Sequence, residues 1–564
     1  MSSYARLPQD LPDTDIHPNT TSPDNNNPSH HASSLRIYWL TAVVCCGGLL
    51  FGYDSGVIGG VLTFDSFRRD FQYTTENQTR VSATAVGIQQ AGALLGCLLI
   101  WPLTNRHGRR KAMMLCSAIF CAGVIFEIVN SHSLLLFYVG RIFCGLGVGG
   151  SATTSPIYLA EMSPKNLRAR LGSGYQFTFT IGISISYWID YALQFRDPSP
   201  AQWQIPLALQ LIPGALMGLG IGTLHESVRW LLASGDNAAA WSSLVWIRGT
   251  TPNDPGREVY EEFAEVKRAL DEDHKATADF HPRELLHRPN LHRITLAVGL
   301  FLAQQATGAT AMAYFGPQFF GLLVGSSTDN SSTSTAWESV SRTESESDTH
   351  TLTLLLTALF GALKVTSCLF FILFMADRFG RRPLLINGAL GMGICFISTS
   401  ILLKSTFSQT PTPTSPTSPS LPSSTISTIT LIYLSITLYN NSWGPLPWPL
   451  SAEIFPTRLR SPGVAIAVSA QWTSNLFWSF ATPYLLEYMG WATFLLFGGL
   501  DLGIAGCVWG CVPETRGLSL EGVQGLFEGV GEVFGRGGGE DREGLVGGGL
   551  GRRDSVIVWF VSWY

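Results

Sequence analysis

Apolar residues gather in twelve runs of about 20 residues, and each run is long enough to cross a bilayer as an α-helix. A helix that is apolar on all sides needs a core or a lipid environment, so the repeated pattern predicts an all-α membrane protein. The predicted spans lie near residues 37–60, 81–103, 112–130, 134–158, 171–193, 204–224, 292–323, 352–376, 383–403, 426–450, 463–487 and 491–512.

Polar segments flank and separate these spans and divide the chain into five parts. The N-terminal tail is rich in Pro, Asn and Ser, which is typical of disorder, and the last part is rich in Gly. The predicted parts are a disordered cytoplasmic tail (1–35), an N-terminal six-helix half (36–224), a cytoplasmic helical linker (225–290), a C-terminal six-helix half (291–521) and a Gly-rich tail (522–564).

The distribution of Lys and Arg predicts the orientation in the membrane. The loops after spans two, four, eight and ten are rich in these residues, whereas the loops on the other side hold fewer. Since cytoplasmic loops carry such an excess, both termini are predicted to be cytoplasmic. The extracellular side holds two inserts rich in Ser, Thr and Pro, near 324–350 and 405–424, whose composition predicts no regular fold.

Composition supports a membrane protein and excludes several other classes. The chain has 564 residues, of which 46% are hydrophobic and only 14% charged, whereas a soluble domain carries about 25% charge. The net charge of −5, without a basic face, excludes a nucleic-acid binder. All ten cysteines lie inside apolar runs, so a disulfide-rich ectodomain or a metal site is not expected.

Two motifs occur once in each half and indicate an internal repeat. Asn105–Arg110 (NRHGRR) follows span two, and Asp377–Arg382 (DRFGRR) follows span eight, 272 residues later. Glu161 begins an ExxPxxxR motif that recurs at Glu453, 292 residues later. The 20-residue excess matches the insert near 405–424, so the two halves are otherwise in register. Parallel six-helix repeats predict a substrate site between the halves, near the membrane midplane.

These motifs resemble the sugar-porter family of the major facilitator superfamily, over about residues 36–521. The resemblance implies the major facilitator fold, with twelve transmembrane helices in two pseudo-symmetric halves, and transport by alternating access without an enzymatic reaction or a cofactor. The chain is further expected to be monomeric. The remaining motifs that carry the resemblance are Gly140-Arg141, Pro156-x-Tyr158-x2-Glu161, Gln304-Gln305-x2-Gly308, Gly444-Pro445-x-Pro447-Trp448 and Pro513-Glu514-Thr515-Arg516-Gly517.

Asp54 is an acidic residue inside span one. A carboxylate in a membrane helix costs about 2.5–3.5 kcal/mol, so it needs a partner or a proton. Arg141 in span four is the expected counter-ion. By resemblance, proton symporters of the family have Asp at this position, which predicts that Asp54 and Arg141 couple transport to protons. The alternative interpretation is a static buried ion pair.

Four glycines in span one, Gly48, Gly52, Gly56 and Gly60, recur every four residues and therefore share one helix face. This stripe predicts close packing against another helix. It also allows the alternative that span one slides or rocks along its neighbour.

The repeated Arg and Glu motifs predict a cytoplasmic gate. Charge-assisted Arg–Glu bonds would close the cytoplasmic side while the cavity faces outward, and rocking would break them. The alternative is that these cations only set the orientation. The predicted gating residues are Arg109, Glu161, Arg168, Arg381, Glu453 and Arg458.

Polar and aromatic side chains inside the spans are the predicted substrate site. Glutamine both donates and accepts hydrogen bonds, which suits hydroxyl groups. Two departures from the family pattern are Thr310, where Asn is usual, and Lys364, whose burial in span eight indicates a function such as binding an anion. By resemblance, the other predicted site residues are Phe51, Gln176, Gln304, Gln305, Tyr314, Trp448, Gln471 and Trp472.

Together these features predict proton-coupled transport of a sugar or polyol across the plasma membrane, with protons and the bilayer as the other partners. Three alternatives remain open at this point. A quinate or organic-acid symporter of the same family would use Lys364. A facilitator would not need Asp54 to titrate, and a nutrient receptor would bind sugar without transport.

Overall fold

The computed structural model of the protein describes residues 28–129, 132–164, 167–250, 256–277, 281–325, 344–375, 378–408 and 423–514. All regular structure in these ranges is helical. Most of the predicted N-terminal tail, most of both extracellular inserts and the whole Gly-rich tail lie outside the described residues.

Six spans form the N-terminal half. The sixth span consists of the two consecutive helices α7 and α8, and the short helix α2 lies in the extracellular connection between spans one and two. The helices are α1 (Pro28–Val61), α2 (Asp65–Phe71), α3 (Thr75–His107), α4 (Arg109–Ile128), α5 (Leu134–Met162), α6 (Arg168–Leu193), α7 (Ala201–Leu209) and α8 (Leu211–Gly222).

The cytoplasmic linker forms helices α9 (Val228–Ala233), α10 (Asn237–Arg248) and α11 (Arg257–Thr277), followed by a 3-10 turn at Pro282–Leu286. The side chain of Asp236 accepts the Ala239 N–H at 2.9 Å and so caps α10. Arg248 bonds Glu262 on α11 at 2.5 Å, which joins the two longer linker helices.

The C-terminal half repeats the six-span arrangement, with breaks in two spans. Helix α15 begins at Glu344, so the expectation of no regular structure over 324–350 is wrong for its last seven residues. The helices are α12 (Arg288–Ala306), α13 (Ala309–Tyr314), α14 (Gly316–Gly325), α15 (Glu344–Phe370, extended by a π turn to Met375), α16 (Arg381–Ser408), α17 (Ser423–Asn440), α18 (Pro447–Ile454), α19 (Thr457–Met489) and α20 (Ala492–Cys511).

Eight stretches of helix in the described part are long and apolar enough to cross a membrane by composition alone. The other four predicted spans are α6, α12–α14, α17–α18 and α19. Two of these are broken, at Gly308 with its φ of +75° and between Asn440 and Pro447. Irregular or polar backbone is tolerated at membrane depth only inside protein or beside a cavity. These four spans are therefore the ones expected to line a polar passage.

The glycine stripe of α1 packs against α6. A Cβ atom added at Gly48, Gly52, Gly56 or Gly60 would collide with the backbone or side chains of α6. The prediction of close helix packing is thus confirmed, and it holds α1 and α6 together within the N-terminal half.

The two halves meet through α3 with α19, α6 with α15, and α1 with α13 and α14. At the extracellular end, the His350 ring lies 3.2 Å from the Thr63 hydroxyl. Nearby, the Tyr187 hydroxyl donates to the Ala313 carbonyl oxygen across the interface. Both bonds therefore hold the two halves together, one of them at the ends of α1 and α15.

Candidate functional site

Arg141 is at the centre of a buried ionic cluster. Its Nη1 lies 3.0 Å from Oδ1 of Asp54 and 3.5 Å from Oε1 of Glu127. Gln89 completes the cluster, because its amide donates to Asp54 and accepts from Arg141. Helices α1, α3, α4 and α5 each supply one member, and all four side chains are buried.

The charges of this cluster make it able to hold a proton. One guanidinium faces two carboxylates, so the fully ionised cluster carries one net negative charge inside the membrane. An uncompensated buried charge is strongly unfavourable. A proton on either acid removes that charge, and the cluster can therefore bind and release a proton as its exposure to water changes.

The sequence predicted the Asp54–Arg141 pair but missed Glu127. The signal was present, because Glu127 is an acidic residue inside the third apolar run, and such residues are functional candidates. Nε2 of Gln210 on the sixth span lies 3.5 Å from Oε2 of Glu127 and satisfies its second oxygen.

Gln304 has a structural contact in addition to its predicted role. Its Nε2 donates to the carbonyl oxygens of Trp443 at 2.9 Å and Gly444 at 3.2 Å, in the break between α17 and α18. Its Oε1 has no hydrogen-bond partner among the described residues, and the same holds for Oε1 of Gln305 and Gln471. Three glutamine oxygens of the predicted site can thus accept hydrogen bonds from the hydroxyl groups of a substrate.

Aromatic rings from both halves meet near these glutamines. The Phe51 ring lies 4.7 Å from Phe179 and 5.6 Å from Trp472, which belongs to the opposite half. Trp448 lies 5.1 Å from the Phe301 ring.

Three more predicted site residues occupy two helices, α6 and α13. Gln176 on α6 and Thr310 on α13 are half-buried. Tyr314 is buried, and Nδ2 of Asn475 on α19 donates to its hydroxyl at 3.2 Å. The predicted set therefore comes from both halves.

Lys364 lies where α15 of the C-terminal half packs on α6 of the N-terminal half. The lysine is only 4% exposed, and its Nζ is 6.0 Å from the Phe360 ring centroid. No carboxylate pairs with it in the described part of the chain. One turn toward the extracellular side, Gly361 approaches Ser184 and Tyr187 of α6 closely, which places Lys364 at the interface between the halves.

The predicted gating pairs form within each half. Arg109 bonds Glu161 at 3.0 Å, and Arg381 bonds Glu453 at 2.6 Å. Each pair joins two helices of one half and does not bridge the halves. Their role in gating stays a prediction. The side chains of Arg168 and Arg458 lie outside the described part of the structure.

Two glutamates missed as site residues bind the repeated Arg motifs. The Glu226 carboxylate accepts the backbone N–H groups of Arg109 at 2.9 Å and Arg110 at 3.1 Å. In the other half, Glu514 accepts those of Arg381 at 3.1 Å and Arg382 at 3.2 Å. Each anion therefore caps the first turn of the third helix of its half, where the helix dipole favours negative charge. The recurrence of Glu226 and Glu514 extends the internal repeat.

We expect Glu226→Ala to lower the free energy of unfolding by about 1–2 kcal/mol, because it removes this cap. Thermal unfolding of the purified protein in detergent measures the loss. Glu258→Ala, which removes an exposed acid from the first turn of α11, is the matched control and should be nearly neutral. Equal transition temperatures for both variants would contradict a capping role.

A second expectation separates binding from packing among the glutamines. Gln471→Ala should weaken substrate binding by about 0.5–1.5 kcal/mol, because it removes one hydrogen bond to a neutral hydroxyl. Gln304→Ala should also reduce stability, since it leaves two buried carbonyls without a donor. Half-saturation concentrations and melting temperatures of the two variants test this. A Gln471→Ala variant with unchanged half-saturation would remove Gln471 from the site.

The fold and the site together define a class of protein. Two six-helix halves enclose polar groups at membrane depth, and the N-terminal half holds a buried ionic cluster among its helices, as expected of a membrane transporter. The family model described as "Sugar (and other) transporter" matches residues 40–527. The chain belongs to this family, which confirms the resemblance inferred from its motifs. It is a multi-pass membrane transporter and not an enzyme.

Curated relatives include fungal permeases. The chain is 32% identical over 503 residues to the quinate permease of Emericella nidulans, covering 87% of this chain and 89% of the relative. It is 31% identical over 505 residues to a probable quinate permease of Aspergillus clavatus, with 87% and 88% coverage.

Solved structures confirm the major facilitator fold. The inward-open xylose transporter from E. coli matches with a TM-score of 0.67 at 25% identity, covering 87% of this chain and 99% of that one. The proton:xylose symporter bound to 6-bromo-6-deoxy-D-glucose matches with a TM-score of 0.66 at 26% identity, covering 88% and 100%.

Proposed function

We propose that this protein imports a polyhydroxylated carboxylic acid of the quinate class together with protons. The observation that carries the proposal is Lys364, a cation buried between the halves without a carboxylate partner in the described part of the chain. The quinate permeases among its relatives support the same substrate class. A hydroxylated acid was the alternative interpretation of the sequence and now becomes the preferred one.

The charge of Lys364 is the first argument. Burying an unpaired ammonium group in a membrane helix costs about 2.5–3.5 kcal/mol. A substrate carboxylate that reaches the interface between α6 and α15 would pair with the ammonium group and remove this cost. The affinity for the substrate would rise as a result. A neutral sugar would leave the ammonium group unpaired.

The glutamine oxygens are the second argument. Gln304, Gln305 and Gln471 each hold a buried side-chain oxygen that lacks a hydrogen-bond partner among the described residues. A ring with several hydroxyl groups supplies the missing donors, and Trp448 and Trp472 offer apolar faces for the ring itself. In the proposed site, the Lys364 cation would bind the carboxylate and the glutamine oxygens would accept hydrogen bonds from the hydroxyls.

The cluster of Asp54, Glu127 and Arg141 is the argument for proton coupling. In the proposed cycle, Asp54 takes up a proton while the cavity faces outward and releases it when the cavity faces the cytoplasm. The halves rock between these states, and the Arg109–Glu161 and Arg381–Glu453 pairs rearrange with them. The plasma membrane, with both termini in the cytoplasm, is the location that fits the cationic loops.

A neutral sugar is the second candidate substrate. It is favoured by the likeness to a proton:xylose symporter solved with a bound glucose analogue. In that case Lys364 would serve packing alone, and its ammonium group would be satisfied without substrate.

Uptake assays in a yeast strain without endogenous transporters test the proposal. Cells expressing the protein receive labelled quinate or labelled glucose, xylose and inositol, and the pH of the weakly buffered medium is recorded. We expect quinate to accumulate with alkalinisation of the medium. Accumulation of a neutral sugar, with no quinate uptake and no competition by quinate, would overturn the substrate assignment.

A further inference from the structure

A chain of hydrogen-bonded polar side chains joins the two halves near the centre of their interface. Nδ2 of Asn475 on α19 donates to Oε1 of Gln90 on α3 at 3.1 Å and to the Tyr314 hydroxyl at 3.2 Å. The Ser479 hydroxyl donates to Oδ1 of Asn475 at 3.4 Å. All four side chains are buried and cannot bond to water, so they depend on one another for their hydrogen bonds.

Gln90 directly follows Gln89, which belongs to the ionic cluster. Gln89 donates to Asp54 and accepts from Arg141. Successive side chains of an α-helix point about 100° apart, because the helix has 3.6 residues per turn. Gln89 therefore faces the interior of the N-terminal half, while Gln90 faces α19 of the opposite half. One short piece of α3 contacts both the proton site and the interface.

We infer that the Gln89–Gln90 pair couples the protonation of Asp54 to the opening of the interface. This inference rests on the proposed proton coupling and adds the residues that transmit it. Both glutamines are positioning residues, since neither carries the proton. The link is short, because Gln89 at the proton site and Gln90 at the interface are consecutive residues joined by one peptide bond.

The hydrogen bonds of Gln89 depend on the charge of Asp54. The ionised carboxylate accepts from the Gln89 amide, as observed. A proton on Oδ2, the oxygen that Gln89 contacts, turns this acceptor into an O–H donor that faces the Gln89 N–H, so the Gln89 amide must reorient or α3 must shift. Such a shift moves Gln90 relative to Asn475 and weakens the bond across the interface. The only chemical change is a proton that enters onto an Asp54 oxygen from outside and leaves to the cytoplasm.

Replacing Gln90 by Leu tests the inference, since it removes the bond to Asn475 and keeps the bulk of the side chain. The purified, reconstituted protein is given a substrate gradient and a proton gradient separately. We expect Gln90→Leu to retain substrate binding and downhill flux, to lose accumulation driven by protons, and to show a reduced ratio of protons to substrate. A role in packing alone would lower binding and flux together and leave the ratio unchanged.

Gln202→Leu is the matched control. Gln202 is also a buried glutamine, but it accepts the Ser66 hydroxyl at 2.7 Å within the N-terminal half. The control should keep the wild-type ratio of protons to substrate. The same loss of coupling in the control as in Gln90→Leu would overturn the inference.

Asn475→Leu provides a second variant if Gln90→Leu does not reach the membrane. It removes the other end of the same bond, so it should cause the same loss of coupling. In the double variant the losses of coupling should be less than additive, because both single changes remove the Gln90–Asn475 bond, although Asn475→Leu also removes the bonds to Tyr314 and Ser479. An unchanged ratio in either folded single variant refutes the inference. If the wild-type protein moves substrate without protons, the proposed function fails instead, so the two failures are distinguishable.

Discussion

Asp54→Asn abolishes accumulation of substrate and the accompanying alkalinisation of the medium, if the buried cluster carries the coupling proton. The substitution keeps the size of the side chain, and the Asn oxygen can still accept from Arg141. Its NH2 group cannot accept from Gln89, as a protonated Asp54 oxygen could not, and the group that titrates is gone. Substrate binding and downhill exchange should persist in part. In the wild-type protein a lower external pH favours loading of Asp54, so uptake falls as the pH rises. The variant should lose this dependence.

Proton flux and substrate uptake, recorded together over a range of external pH, measure this effect. Asp501→Asn is the matched control, because Asp501 on α20 is an equally buried acid, outside the cluster. We expect the control to accumulate substrate as the wild type does. An Asp54→Asn variant that still accumulates substrate with unchanged proton influx would make Asp54 a structural residue and favour Glu127 as the coupling acid.

Lys364→Gln should weaken binding of quinate by about 1.5–3 kcal/mol, the range for hydrogen bonds to charged groups. This corresponds to an increase of about 10- to 150-fold in the dissociation constant. The neutral methyl ester of quinate has the same ring and hydroxyls, so the variant should bind it almost as the wild type does. Lys364→Arg keeps the positive charge and should retain most of the preference for the acid.

Competition binding to the purified protein with both compounds measures this preference. Lys404→Gln, which removes an exposed lysine near the extracellular end of α16, is the control and should change neither affinity. If Lys364→Gln weakens binding of the acid and of the ester equally, Lys364 has only a packing role, and a neutral sugar becomes the preferred substrate.

Apolar runs were sufficient to predict where the spans lie, because each helix satisfies its own backbone and must match the thickness of the bilayer. The repeated Arg and Glu motifs were sufficient to predict the two halves, since an internal repeat can be recognised from the order of residues alone. The Asp54–Arg141 pair followed from charge alone. A lone acid and a lone cation in neighbouring apolar helices have few other partners, and the 3.0 Å contact agrees with that argument.

Partners that depend on how helices are rotated and paired could not be predicted in this way. The acidic residue Glu127 is visible inside the third apolar run, but nothing along the chain indicates that α4 turns it toward Arg141. Gln304 was predicted to bind substrate, with an interhelical hydrogen bond as the alternative, and its amide does bond the carbonyls exposed where the tenth span breaks. Such a break leaves backbone groups that any nearby donor can satisfy, and only packing decides which donor is near.

The sequence by itself therefore determined the number of spans, the twofold repeat and the presence of costly charges inside the membrane, and it predicted the orientation of the spans. These properties follow from local composition, because insertion into lipid is decided segment by segment. The tertiary structure alone decided that Gln89 and Gln90 face opposite halves, that Glu226 and Glu514 cap equivalent helices, and that Lys364 lies between the halves without an acidic partner in the described residues. These contacts join residues far apart in the chain, and their physical cause is the packing of whole helices, which no local pattern records.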